Sequence, residues 1–309
     1  MWKFVLKRLL ALIPVLFGVT LLVFLILSFA PGDPARTILG AEATEEQINH
    51  LREEMGLNDN VFVQYARYII KGVSGDLGTS YKTRLPVVTE IVSRFPYTLR
   101  LVVVGMIIAI IIALPLGVIA GVKQNSLFDR LSMVLSLLGI SLPTFWVGLL
   151  CILLFSVTLG WLPSGGNDSL KDMILPTLTI SLCSLAGIAR TTRSSMLEVI
   201  RADYIRTARG KGISQAKVVI RHALQNAMIP TLTVAGLQIC NMIAGTVLVE
   251  NIFSWPGIGR LLVTSIQERD IPLVLGCIIV FTICFTIINL VVDILYGVID
   301  PRIKAQYKK

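Results

Sequence analysis

Three observations predict an all-α, polytopic membrane protein of six transmembrane helices. Only 15% of this 309-residue chain is charged and 54% is hydrophobic, whereas a soluble domain is about one-quarter charged. Lipid is therefore its main solvent. Charge-free runs of spanning length recur along the chain. These runs carry no two-residue alternation of the kind a membrane barrel needs. Helices are then the reasonable choice, because in lipid the backbone has to satisfy its own hydrogen bonds.

The first run, Leu9–Ala30, is 22 residues long and follows Lys3, Lys7 and Arg8. The positive start suits a signal peptide, but the run exceeds the roughly 7–15 apolar residues of a cleaved one. It matches the ~20 residues that cross hydrocarbon and reads as a retained first span. Leu101–Val122 is the second. Leu131–Pro163 is a 33-residue run broken by Pro143, with an outer turn expected at "LGWLPSGG". Met173–Ala189, Ala223–Val249 and Ile271–Val292 complete the six.

Between the first two spans lies a long segment with its own order, residues 31–96. "ATEEQINHLREEMG" places Thr44 ahead of acidic residues and closes on Gly56, a capped amphipathic helix. "VFVQYARYIIKGV" has helical apolar spacing and reads as a second short helix. "SGDLGTSYKTRLPV" is turn material leading to a helix near Val87–Arg94. The organisation expected is residues 1–30 as N-terminus and first span, 31–96 as an extracytoplasmic helical cap, and 97–309 as a five-helix core. A cytoplasmic loop at 190–226 belongs to that core.

Six spans put both termini on one side, and Lys and Arg decide which. Seventeen of the 28 basic residues fall on the side of the termini. Eight of them, Arg190, Arg193, Arg201, Arg206, Arg209, Lys211, Lys217 and Arg221, are in the 190–226 loop. The termini are therefore expected in the cytoplasm. The net charge of +9 is mainly a topology signal, with anionic lipid as a partner. No basic-aromatic module accompanies it, so nucleic acid is not expected.

Several chemistries are not written in the chain. The only Gly-Lys pair, Gly210–Lys211, is followed by Gly212 rather than Ser or Thr, so there is no nucleotide-binding P-loop. The two histidines, His50 and His222, fall in different predicted compartments, which leaves no triad and no His-based metal site. Cys151, Cys183, Cys240, Cys277 and Cys284 sit in apolar runs without metal-ligand spacing and read as small buried hydrophobes.

One segment stands apart: "RADYIRTARGKGISQAKVVIRHALQNAMIP", residues 201–230. Asp203 is placed to cap a short helix over Tyr204–Arg209, with Gly210 and Gly212 ending it. Ser214 is placed to start a second helix running toward Pro230. A short helix on the cytoplasmic surface is either an ordinary loop or a docking protrusion.

The segment resembles the cytoplasmic coupling loop of ABC-importer permeases. Its slots read Arg206-Thr207-Ala208 and then Gly212, with Arg206 where the general pattern has Glu and Thr207 at the first Ala slot. The closing "AMIP" lies further from the glycine than usual. These departures, together with "FAPGDPA", "GDLGTSY", "VENIFSWPGIGRLL" and "VDILYGVIDPRI" in order, are similar to the dipeptide/oligopeptide/nickel ABC-importer permease family. The long outer loop is similar to that of the B-type subunit. The resemblance runs over essentially the whole chain. It implies a type I ABC importer permease fold in a bacterial or archaeal cytoplasmic (inner) membrane.

The resemblance also implies partners. These are a C-type permease in a heterodimer, two cytoplasmic ATPase subunits that bind ATP and Mg, and an extracytoplasmic substrate-binding protein. No cofactor is implied for this chain and no enzyme activity. Asp203, Tyr204, Ile205, Arg206, Thr207, Ala208, Arg209, Gly210 and Gly212 would form the coupling helix in an ATPase groove. Tyr204, Ile205 and Ala208 are expected to offer apolar contact, Arg206 and Arg209 charged rim pairs, and Gly212 a positive φ or a close approach.

Polar groups inside spans usually face a cavity or a neighbouring helix. Gln238 and Asn241, three apart on the fifth span, and Asn289 on the sixth are candidate pore-lining residues. Asp293, four residues after Asn289, reads more readily as a helix-end anchor. "SWPGIGR" reads as a Pro-Gly turn into a short outer helix. Di- or oligopeptides are the expected cargo, with nickel or a metal chelate as the alternative. A channel or secondary transporter would need charged relay residues in the spans, and a membrane enzyme would need clustered catalytic side chains. Such relay residues are nearly absent, and no catalytic cluster is visible.

Overall fold

The molecule is described by a computed structural model covering residues 2–30, 32–40 and 42–299. Pro31 of "FAPGDPA", the end of "VDILYGVIDPRI", and the basic tail with Arg302, Lys304, Lys308 and Lys309 lie outside the described residues. The described residues form helices joined by turns, with one isolated bridge between Thr79 and Pro86 and no strand.

The first span is α1, Trp2–Phe29, with Pro14 inside it. Three cap helices follow. α2, Pro34–Leu39, was not foreseen, although "Asp-Pro" carries its signal. Asp33 accepts the Ala35 N–H at 3.1 Å and Pro34 supplies the preset first turn. α3, Glu45–Glu54, starts at Thr44 as expected, but the reciprocal partner is Gln47: each accepts the other's backbone N–H. α4, Val61–Val73, is capped by Asn60, which accepts the Phe62 N–H at 2.9 Å.

α5 runs unbroken over Val87–Val122. This corrects the expectation of a separate helix near Val87–Arg94, which is the first part of the second span. The expected helix ended near Arg94, but α5 continues past it and through Pro96, as membrane helices commonly do through proline. An i,i+4 pair, Arg94 Nη2 to Glu90 at 3.2 Å, supports its first turns.

The 131–163 run breaks at Pro143 as expected. It forms two helices, α6 (Leu127–Ser141) and α7 (Thr144–Cys151), the latter continuing as a π-helical stretch Ile152–Thr158. They are bent by 107°. Leu142 is extended (φ −82°, ψ 132°) because the residue before a proline is pushed out of the helical region. α8 (Ile174–Ile200), α9 (Asp203–Gly210) and α10 (Gln215–Lys217) follow. A π-helical stretch Val218–Ala223 leads into α11 (Leu224–Ile252), and α12 (Ile258–Glu268) and α13 (Ile271–Ile299) are the last elements among the described residues.

Among the described residues five helical segments are long and apolar enough to cross a membrane: 5–29, 87–122, 170–200, 215–252 and 271–294. The bent α6–α7 pair, counted as one broken span, makes six.

By contact the chain divides into two compact units. One comprises, among the described residues, Leu99–Trp255 and 287–299. In it α8 packs lengthwise on α11: Thr231 donates to Thr192 Oγ1 at 3.3 Å, and Ser181 donates to the Gly105 carbonyl of α5 at 3.0 Å. Such contacts between small residues are how helices associate in lipid. The other unit comprises Trp2–Thr98 and Pro256–Thr286. Its core gathers Val87, Ile91, Ile258, Leu261, Leu273 and Cys277, and beside them Phe24, Tyr65, Ile271 and Leu275. Asp270 is buried here. It accepts Ser80 Oγ at 2.5 Å, the Lys82 N–H at 3.4 Å and, at the start of α13, the Leu273 N–H at 3.3 Å.

Candidate functional site

The 190–226 loop folds on its own apolar base. α9 is amphipathic: Ile205 and Ala208, three apart, turn inward, while Tyr204, Arg206, Thr207 and Arg209 stay exposed. The base is a cluster of Met196, Ile205, Ala208, Val218, Val219, Ala223 and Ala227. It draws on the last turns of α8, the π-helical stretch and the first turn of α11. The expectation that Tyr204, Ile205 and Ala208 would together offer apolar contact is therefore corrected. Ile205 and Ala208 hold α9 to its own chain, and of the three only Tyr204 faces outward. The Tyr204 hydroxyl accepts Asn226 Nδ2 at 2.8 Å.

The ends of α9 also differ in detail from expectation. Its N-cap is Ala202, with no side-chain cap bond, and Asp203 occupies the first turn. There its carboxylate suits the positive end of the helix dipole without capping the helix. α9 ends at Gly210, Lys211 follows, and Gly212 has φ +76°. A Cβ at Gly212 would meet nothing within 4 Å, so conformation alone, not space, favours glycine there. Ser214 is the N-cap of α10, again without a side-chain bond. The outward face carries Arg206, Arg209 and Lys211 against the single acid of α9, Asp203. This face is strongly positive.

Reading the sequence for topology missed the strut beneath the loop. Asp129, in the first turn of α6, is buried and forms a two-pronged ion pair with Arg193 of α8. Arg193 Nε donates to Oδ1, and Nη2 donates to Oδ2 at 2.8 Å. The Asn125 N–H adds a bond to Oδ2 at 2.9 Å. Counted as one more loop cation, Arg193 gave no sign of this role. The usable signal was Asp129, an acid three residues after the Ser126 cap at the mouth of an apolar run.

Of the polar residues expected to line a path, the structure brings two together. Asn241 Nδ2 lies 3.5 Å from Gln238 Oε1, and Asn241 is exposed. Gln238 is half-buried, with its amide laid over Gly187 of α8. A Cβ at Gly187 would sit 2.7 Å from Gln238 Nε2, so glycine is what admits the amide. Asn289 is half-buried on α13. Among the described residues no three His, Cys, Asp or Glu side chains gather as a metal-binding group.

The chain matches two family models. Residues 113–305 match "Binding-protein-dependent transport system inner membrane component", and residues 1–102 match the N-terminal region of the same kind of membrane component. It is 48% identical over 304 residues to the "Glutathione transport system permease protein GsiC" of Escherichia coli (strain K12), covering 98% of this chain and 99% of that protein. The GsiC of Shigella boydii serotype 4 is 47% identical over the same span. Among solved structures, an inward-facing form of the MetNI methionine ABC transporter matches with a TM-score of 0.58 at 17% identity. That match covers 68% of this chain and 95% of the other, a likeness of fold.

Proposed function

The chain belongs to the binding-protein-dependent transport system inner membrane components, permease subunits of ABC importers, and on that premise we propose that it is a B-type subunit moving short peptides or peptide-like molecules across the membrane. A C-type permease is its partner in the membrane, and two ATPase subunits couple to it through α9. A receptor outside the cytoplasm delivers the cargo. The relative's name, a glutathione system, favours a peptide-like substrate; nickel or a metal chelate is the alternative. The placement of 17 of the 28 basic residues favours cytoplasmic termini.

The observation that carries the reading is the division of labour in α9. Ile205 and Ala208 fix it to the chain, and a positive outer face of Tyr204, Arg206 and Arg209 is left for a partner. When ATP draws two ATPases together, a helix anchored in this way moves with them as a rigid body, and α8 and α11 move with it. Gln238 and Asn241 are proposed to line the path on α11. The test is the double variant Arg206→Glu and Arg209→Glu. Uptake by the assembled transporter should fall at least ~10-fold, the equivalent of about 1.4 kcal/mol of coupling, at an unchanged level in the membrane. Undiminished uptake would remove α9 from the coupling path.

A further inference from the structure

We propose that α4 is an interfacial helix, seated sideways in the membrane leaflet on the cap's side, with lipid acyl chains covering its outer apolar face. The proposal rests on the reading of α1 and α13 as spans and is independent of substrate and of coupling.

Depth is the first argument. The Tyr65 hydroxyl of α4 donates to the Phe17 carbonyl of α1 at 3.0 Å and lies 3.0 Å from Thr20 Oγ1. Its ring packs on Phe24 with centroids 5.5 Å apart. Phe17 is twelve residues from the end of α1 at Phe29, or about 18 Å along the helix axis. The hydrocarbon core is about 30 Å thick, so the tip of Tyr65 reaches far below the membrane surface. The last span gives an independent measure. Ile271 and Leu275, in the first two turns of α13, pack in the same cluster as Tyr65 and Phe24. α4 therefore lies level with the outermost turns of one span and the upper half of another, the depth of an interfacial helix.

The second argument is how α4 distributes its side chains. At 100° per residue its thirteen positions divide into three sectors. Val61, Tyr65 and Tyr68 face the cluster with α1. Gln64, Arg67 and Lys71 face an open cavity of about 300 Å³ lined by Glu54, Asp76 and Arg84 on one hand and by Phe24, Leu51 and Ile271 on the other. The third sector is apolar and uncovered: Phe62 is 66% exposed, Ile70 72% and Val73 84%, with Ala66 between them. A helix in water does not leave such a stripe open beside a fully polar one. On α1, to which Tyr65 fixes α4, Leu22, Ile26 and Phe29 are also exposed. Acyl chains cover both surfaces continuously, and the polar sector looks up into water.

The test places a photoreactive benzoylphenylalanine at position 62, 70 or 71 of the full chain, in its complex in native membranes, followed by irradiation and intact-mass analysis. Positions 62 and 70 should yield phospholipid adducts, at least ~5-fold more than position 71 on the polar face. If the position-62 variant fails to accumulate, position 73, the last residue of α4, replaces it. Cross-links from 62 and 70 to another polypeptide, whether a permease or a receptor, would overturn the proposal. So would an absence of lipid adducts at both positions.

Discussion

Asp129 and Arg193 together show what one buried charge pair does in a chain with few charges. Arg193 supplies two of the three hydrogen bonds on a carboxylate that is 3% exposed. Arg193→Met would leave that carboxylate with only the Asn125 N–H. The loss should be roughly 2–3 kcal/mol, read as a lower melting temperature of the purified protein. Asp129→Asn combined with Arg193→Met should recover part of it, because the unpaired charge is then gone. Tyr81 in the cap gives a second prediction at this scale. Burial, helped by the Asp270 carboxylate, pushes its phenol from the ordinary 10.0 up to about 12. The folded state then holds this proton more tightly than the unfolded state. The corresponding stability is complete below about pH 10 and is lost as pH rises through about 12. Burial raises Tyr68 in the same direction, so Tyr81→Phe should flatten the alkaline fall in melting temperature without abolishing it. An unchanged profile would remove Tyr81 from the account.

At the scale of elements, α9 separates anchoring from presentation. Ala208 is buried in the cluster under the helix, so Ala208→Asp should detach α9 and abolish uptake by local unfolding. Gly212 acts differently. Its φ of +76° is one that side chains adopt at a cost of roughly 1–2 kcal/mol, and no atom stands where a Cβ would go. Gly212→Ala should therefore give a mild loss, and Gly212→Val a larger one. Limited proteolysis checks both classes: the Ala208 variant should be cut within 203–213 and the Gly212→Ala variant only slightly more than the parent protein. Equal protection of all three would contradict the packing described for α9. The cap repeats the theme. Thr44, Gln47 and Gly56 announce α3 in the sequence, because capping chemistry is local. The way α4 lies along α1 depends on a bond across 48 residues, Tyr65 to Phe17, and no local pattern encodes that.

For the whole molecule, the expected outcome is that the chain purifies from native membranes in company. Gentle affinity purification should bring down a second permease, ATPase subunits and a receptor. Calorimetry of that receptor against short peptides, glutathione and nickel should then find a peptide-class ligand. Recovery of this chain alone across several detergents would return the 201–230 segment to the status of an ordinary loop. Selective binding of nickel would move the system to the alternative cargo. Because the outer face of α9 is positive, ATPase retention should also weaken as salt rises, since exposed charge pairs are screened within about 10 Å at 0.1 M.

The sequence by itself determined the solvent, the number of apolar runs, the break at Pro143 and the position of the α9 segment. These follow from composition, run length and the chemistry of Pro, Gly and capping residues, all of which act over a few neighbours. It did not reveal that α5 carries straight through Pro96, because a membrane helix tolerates proline when its surroundings allow it. Nor did it reveal which side of α9 faces its own chain. Ile205 and Ala208 fit a partner's groove as well as they fit their own core, and only the arrival of Met196, Val218 and Ala227 from other segments decides between them. The same holds for Asp129 with Arg193, for Gln238 over Gly187, and for the open stripe of α4. Each depends on what stands opposite, and in a chain where most side chains are apolar, many partners are equally suitable until packing selects one.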